Sequence, residues 1–191
     1  MFKYRIELVS KLWKVLCWDQ RWCLDLRNFQ QEFGVPLTDH NFYRVLMKTG
    51  YKLQNINFGA AHISPYSLYN MKRLSHLTSL KIDTSDVRSA FNFAVNTLDH
   101  FATQLRVFHL DSVDFNSDVV IDILTRATNL TDLSWQGQYC QNIFKLNKLT
   151  QLKKLKGFSN SYYSYFNVSP GLFSPLTNLV SLNTGQYTLI T

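Results

Sequence analysis

Leu77-Thr78-Ser79-Leu80-Lys81-Ile82 carries its apolar side chains in the pattern Leu-x-x-φ-x-φ, where φ is apolar. Leu80 and Ile82 lie two residues apart and so share one face of an extended strand, while Lys81 between them points the other way. The pattern returns along the chain, opening at Leu53, Leu77, Leu105, Leu130, Leu152 and Leu179. Other full copies are Leu53, Ile56 and Phe58; Leu105, Phe108 and Leu110; and Leu130, Leu133 and Trp135. Two copies are weaker: Leu155 and Leu182 keep the fourth position, but Gly157 and Thr184 stand in the sixth.

The gaps between opening leucines are 24, 28, 25, 22 and 27 residues. All fall within the roughly 20 to 29 residues of a leucine-rich repeat, a strand followed by a helical return. The period therefore predicts an α/β leucine-rich-repeat solenoid, a curved parallel sheet with helices on its convex side. Ten residues after each opening leucine stand Ile63, Val87, Phe115, Cys140, Tyr162 and Leu189, where the chain is expected to turn back into the core.

Helical returns are expected in several places. Asp39 is read as the N-cap of a helix running to about Lys52, with Phe42, Val45 and Leu46 on one face and Gly50 near its end. Ser64-Pro65 opens another, with proline at the first helical position. Asn116 or Ser117 caps a third, whose buried stripe is Val120, Ile121 and Leu124. A further helix is expected between Asp86 and Gln104, whereas Gly157 to Gly171 reads as irregular loop.

With 191 residues and 46% apolar content the chain can bury a sizeable core. It has no run of about 20 apolar residues, and Met1-Phe2-Lys3-Tyr4-Arg5 leading to Glu7 and Lys11 does not make a signal peptide. Cys17, Cys23 and Cys140 are odd in number and suit a reducing compartment, so a cytoplasmic or nuclear location is expected. In that setting the sequon Asn129-Leu130-Thr131 reads as a by-product of the repeat.

The N-terminal segment adds Val9-Ser10-Lys11-Leu12-Trp13, then Leu16, Asp19, Trp22 and Leu24-Asp25-Leu26. This resembles the second half of an F-box, where a helix ends in a tryptophan and leads through a second tryptophan into the first strand of the repeats. The motif covers about Leu8 to Leu26, and Leu37-Thr38-Asp39 before a helix is similar to the first repeat of F-box proteins with leucine-rich repeats. Residues 1–27 are accordingly read as a partial F-box-like helix and capping strand, and 28–191 as a repeat domain of about six units. The resemblance implies a substrate receptor of an SCF-type ubiquitin ligase, recruiting target proteins for ubiquitination. Val9, Lys11, Leu12, Trp13 and Leu16 would meet a Skp-family adaptor. The upstream Leu-Pro-x-Glu helix of a full F-box is not in the given sequence, so capture of the adaptor by it is expected to be weak or absent. Trp13 and Trp22 can equally cap the end of the core, as terminal repeats require.

Enzyme signatures are absent from the sequence: no Gly-x-Ser-x-Gly elbow, no Gly-rich phosphate loop ending in Lys-Ser or Lys-Thr, and no His-Glu-x-x-His helix. Cys17 and Cys23 are too far apart, without a second pair, for a zinc site, so neither metal nor cofactor is expected. The net charge of +7 is banded. Residues 101 to 132 hold five aspartates against Arg106 and Arg126, while 145 to 156 hold five lysines and no acid. With Tyr162, Tyr163, Tyr165 and Phe166 behind them, those lysines leave a nucleic-acid surface as a less favoured alternative, beside a scaffold or adaptor unconnected with ubiquitin.

If the φ positions point inward, alternate positions form rows along the concave face. One row is Asn57, Lys81, His109, Ser134, Lys156 and Asn183; a flanking row is Asn55, Ser79, Val107, Asp132, Lys154 and Ser181. The third is Gly59, Asp83, Asp111, Gln136, Phe158 and Gly185. Lys81, Asp83, His109, Asp111, Asp132, Lys154, Lys156 and Phe158 are the candidates for holding a protein partner, since mixed polarity with a few aromatics suits a transient protein interface.

Overall fold

The structure is a computed structural model, and it describes residues 23–27, 29–33, 36–49, 52–58, 64–83, 97–111, 117–136, 142–157 and 170–183. Alternating apolar residues build the strands β1 (Cys23–Asp25), β2 (Asn55–Asn57), β3 (Ser79–Asp83), β4 (Val107–Asp111), β5 (Asp132–Gln136), β6 (Lys154–Gly157) and β7 (Ser181–Asn183). These form one parallel sheet in which every strand lies beside its neighbours in sequence, from β1 to β7. The class is therefore α/β, with helical segments between the strands. Parallel neighbours need such crossovers because a tight turn cannot join them.

In register, Leu24, Ile56, Leu80, Phe108, Leu133 and Leu155 lie side by side across β1 to β6. All six are buried, as are five of the opening leucines, Leu53, Leu77, Leu105, Leu130 and Leu152. Leu179 is partly buried against the same core. The expected register thus holds, and the weakness read in the last copy is real: Leu182 is 38% exposed where its β6 neighbour Leu155 is 1% exposed.

Helices close the other side of the core. The helix Asp39–Thr49 buries Phe42, Val45 and Leu46, and the rings of Phe42 and Phe58 pack tilted with centroids 5.4 Å apart. Its N-cap differs from the expectation. Thr38, not Asp39, accepts the first bonds, through its carbonyl from Phe42 N–H at 2.9 Å and its hydroxyl from Asn41 N–H at 3.3 Å. Asp39 instead reaches outward: its Oδ1 accepts from Ser67 Oγ at 2.6 Å and from Ser64 N–H at 3.2 Å, binding the next helix, Pro65–Asn70. Pro65 does open that helix, and Ser117–Leu124 buries Val120, Ile121 and Leu124 as its spacing predicts.

Residues 97–101 are helical, ahead of a 3-10 turn at Ala102–Gln104. Ahead of β6 and β7 stand 3-10 turns at Ile143–Lys148 and Pro170–Phe173. Gly157, expected to begin a loop, belongs to β6 and has φ of 105°, where a side chain would strike the Trp135 carbonyl. The residues ten after each opening leucine (Ile63, Val87, Phe115, Cys140, Tyr162 and Leu189) lie outside the described residues.

Candidate functional site

Because the pleat sends Leu24, Ile56, Leu80, Phe108, Leu133 and Leu155 into the core, the residues between them line the opposite face of the sheet. The register joins them into two rows. The first runs Cys23, Asn55, Ser79, Val107, Asp132, Lys154 and Ser181, and the second Asp25, Asn57, Lys81, His109, Ser134, Lys156 and Asn183. Asp83, Asp111 and Gln136 pair at the ends of β3, β4 and β5. Seven of the candidate residues, Lys81, Asp83, His109, Asp111, Asp132, Lys154 and Lys156, are thus brought onto adjacent strands of one sheet. Phe158, like Val9, Lys11, Leu12, Trp13 and Leu16, lies outside the described residues.

The rows are most open toward the two edges of the sheet, and Asp25 on β1 is exposed. Ser79 is buried, and Asn55, Asn57, Lys81, Val107, His109, Asp132 and Ser134 are half-buried, whereas Lys154, Lys156, Ser181 and Asn183 are exposed. A short edge strand such as β7, with no neighbour beyond it among the described residues, shields little of the face.

Two polar contacts organise the face. Between β4 and β5, His109 Nε2 lies 3.0 Å from Asp132 Oδ1, both side chains less than a third exposed. A carboxylate only accepts, so the contact puts the proton on Nε2. At the other end Asp25 takes a forked grip from Arg27, with Nη2 at 2.6 Å from Oδ2 and Nε at 3.0 and 3.1 Å from the two oxygens. Those bonds hold the Asp25 carboxyl below its ordinary range, against the opposing pull of burial, with help from the Arg27 backbone N–H and Asn57.

Reading the sequence alone left Asp25 and Cys23 off this face, although Leu24-x-Leu26 carried the same alternation that placed the others. It also missed what lies at the strand entrances. The carbonyls of Gln54, Thr78, Arg106, Thr131 and Lys153 each accept two successive backbone N–H groups from the next unit, at 2.8 to 3.1 Å. The sequon residues share in this stitching: Asn129 Nδ2 donates to Thr103 O at 2.8 Å, and Thr131 Oγ1 to Arg106 O at 3.0 Å.

Among the described residues no group of three His, Cys, Asp or Glu side chains is placed to hold a metal ion. No described helix is long and apolar enough to cross a membrane. What the face offers chemically is a grid of amides, hydroxyls, ammonium groups and one histidine–carboxylate pair, spaced by the strands about 4.8 Å apart. No protein-family model, no curated protein and no solved structure matches the chain.

Proposed function

We propose that the chain is a leucine-rich-repeat solenoid acting as a protein-recognition module, and that it serves as the substrate-binding part of an F-box protein. In that role it recruits target proteins to an SCF-type ubiquitin ligase and performs no chemistry of its own. The observation that supports recognition is the pair of largely polar rows, interrupted at Val107, that cross seven strands on the face turned away from the core. Such rows give an extended partner many small, separately weak contacts, as transient interfaces do. The ubiquitin-ligase part rests on the resemblance of residues Leu8 to Leu26 to half of an F-box.

The adaptor contact is tested by mixing the purified chain with a purified Skp-family adaptor. If the half F-box serves as an adaptor contact, the result is weak capture, abolished by Trp13→Ala with the circular dichroism of the repeats unchanged. Capture that Trp13→Ala leaves intact, or no capture at all, removes the adaptor role and leaves a leucine-rich-repeat scaffold.

A further inference from the structure

We propose that the strip of the face spanned by β5, β6 and β7 binds an acidic, extended segment of a partner protein, read by Lys154 and Lys156. The inference rests on the recognition reading above and gives the partner its chemistry. Lys154 and Lys156 are both exposed and stand two residues apart on β6. Their Cα atoms are therefore about 6.7 Å apart on one side of the sheet. An extended peptide presents its own alternate side chains at the same spacing, so acids at its positions i and i+2 meet both ammonium groups together.

No described carboxylate pairs with either lysine. Among the described residues the ion pairs join Asp25 to Arg27, Asp132 to His109, Asp99 to Arg126 and Asp122 to Lys145, and none reaches Lys154 or Lys156. Lys156 lies between Ser134 and Asn183, and Lys154 between Asp132 and Ser181. Asp132 is the one carboxylate on these three strands among the described residues, and His109 already holds it at 3.0 Å. Ser134 and Ser181 add hydroxyl groups that can bond a peptide backbone. A nucleic acid fits the strip less well. Among the described residues of the strip none of these six is aromatic, and two ammonium groups neutralise few phosphates.

The test is selection of peptides from a random displayed library on the full 191-residue chain, with fluorescence anisotropy on those enriched. Enriched peptides should carry Asp or Glu at alternate positions. The double variant Lys154→Glu, Lys156→Glu should weaken them about tenfold or more. Peptides with lysine in place of those acids should bind the double variant and not the native chain. Should charge reversal unfold the protein, Lys154→Gln with Lys156→Gln repeats the measurement without adding an acid beside Asp132. Enrichment of neutral or basic peptides would overturn the acidic assignment and leave protein recognition standing. Failure to enrich any peptide would overturn both, and binding of a single-stranded oligonucleotide that both lysine variants abolish would assign the strip to nucleic acid instead.

Discussion

Leu133 is fully buried between Phe108 and Leu155 on the adjoining strands, at the middle of the sheet. Leu133→Ala removes apolar burial and leaves a void that this packed row cannot close, so it should cost about 2 to 5 kcal/mol. The drop would show as a lower urea midpoint at an unchanged slope. Gly157 is constrained for the opposite reason, having no room. With φ at 105° and the Trp135 carbonyl where a Cβ would go, Gly157→Ala should lose about 1 to 3 kcal/mol from backbone strain before the overlap is counted. A thermal midpoint equal to that of the native chain would show that β6 shifts away from β5 at no cost. The glycine was visible as a break in the pattern. Its φ was not, because that is set by the approach of a neighbouring strand.

Between elements, the same device joins successive units twice. Asp39 at the start of one helix accepts from the Ser64 backbone 25 residues on, and Asp118 at the start of another accepts from Asn142 N–H at 2.9 Å, 24 residues on. Each carboxylate thereby fixes how one return sits on the next. Burial pushes the Asp39 carboxyl up, yet the hydrogen bonds from Ser64 and Ser67 outweigh it and hold the group below its ordinary 3.8. A carboxyl made more acidic by folding stabilises fully above that ordinary value and loses its contribution as pH falls through the lower folded-state value. Asp39→Asn should therefore cost about 1 kcal/mol at neutral pH. The gap to the native chain should narrow toward about pH 3. Urea unfolding of both proteins at the two pH values checks this, and a gap that widens in acid would contradict it. Spacing identified this helix but assigned the cap to Asp39, because a Thr-Asp pair offers two capping oxygens and only the position of the next helix decides between them.

At the scale of the molecule, one apolar cluster runs from Leu24 to Leu176 and every unit stacks on its sequence neighbours. Stability in such a stack is close to a sum of unit and neighbour terms, so it should fall where a unit has weak packing on one side. That place is β7, where Ser181, Leu182 and Asn183 are all exposed and Val180 is 86% exposed. Amide hydrogens of residues 181–183 should exchange faster than those of β3, β4 and β5, measured by mass spectrometry after proteolysis. Equal protection would mean that β7 is sealed by a neighbour.

The sequence by itself determined the strands opened by the six leucine patterns, their register and the two rows from β2 to β7, because a period of two and a repeat of 22 to 28 residues leave one way to stack them. Tertiary structure alone decided the rest. Which strand entrances double their hydrogen bonds, that His109 meets Asp132 across β4 and β5, and that Lys154 and Lys156 stay unpaired among the described residues while Lys145 reaches Asp122 all depend on side chains from different units. Those encounters follow from the offset between neighbouring units, a length the spacing of leucines constrains only to within a few residues.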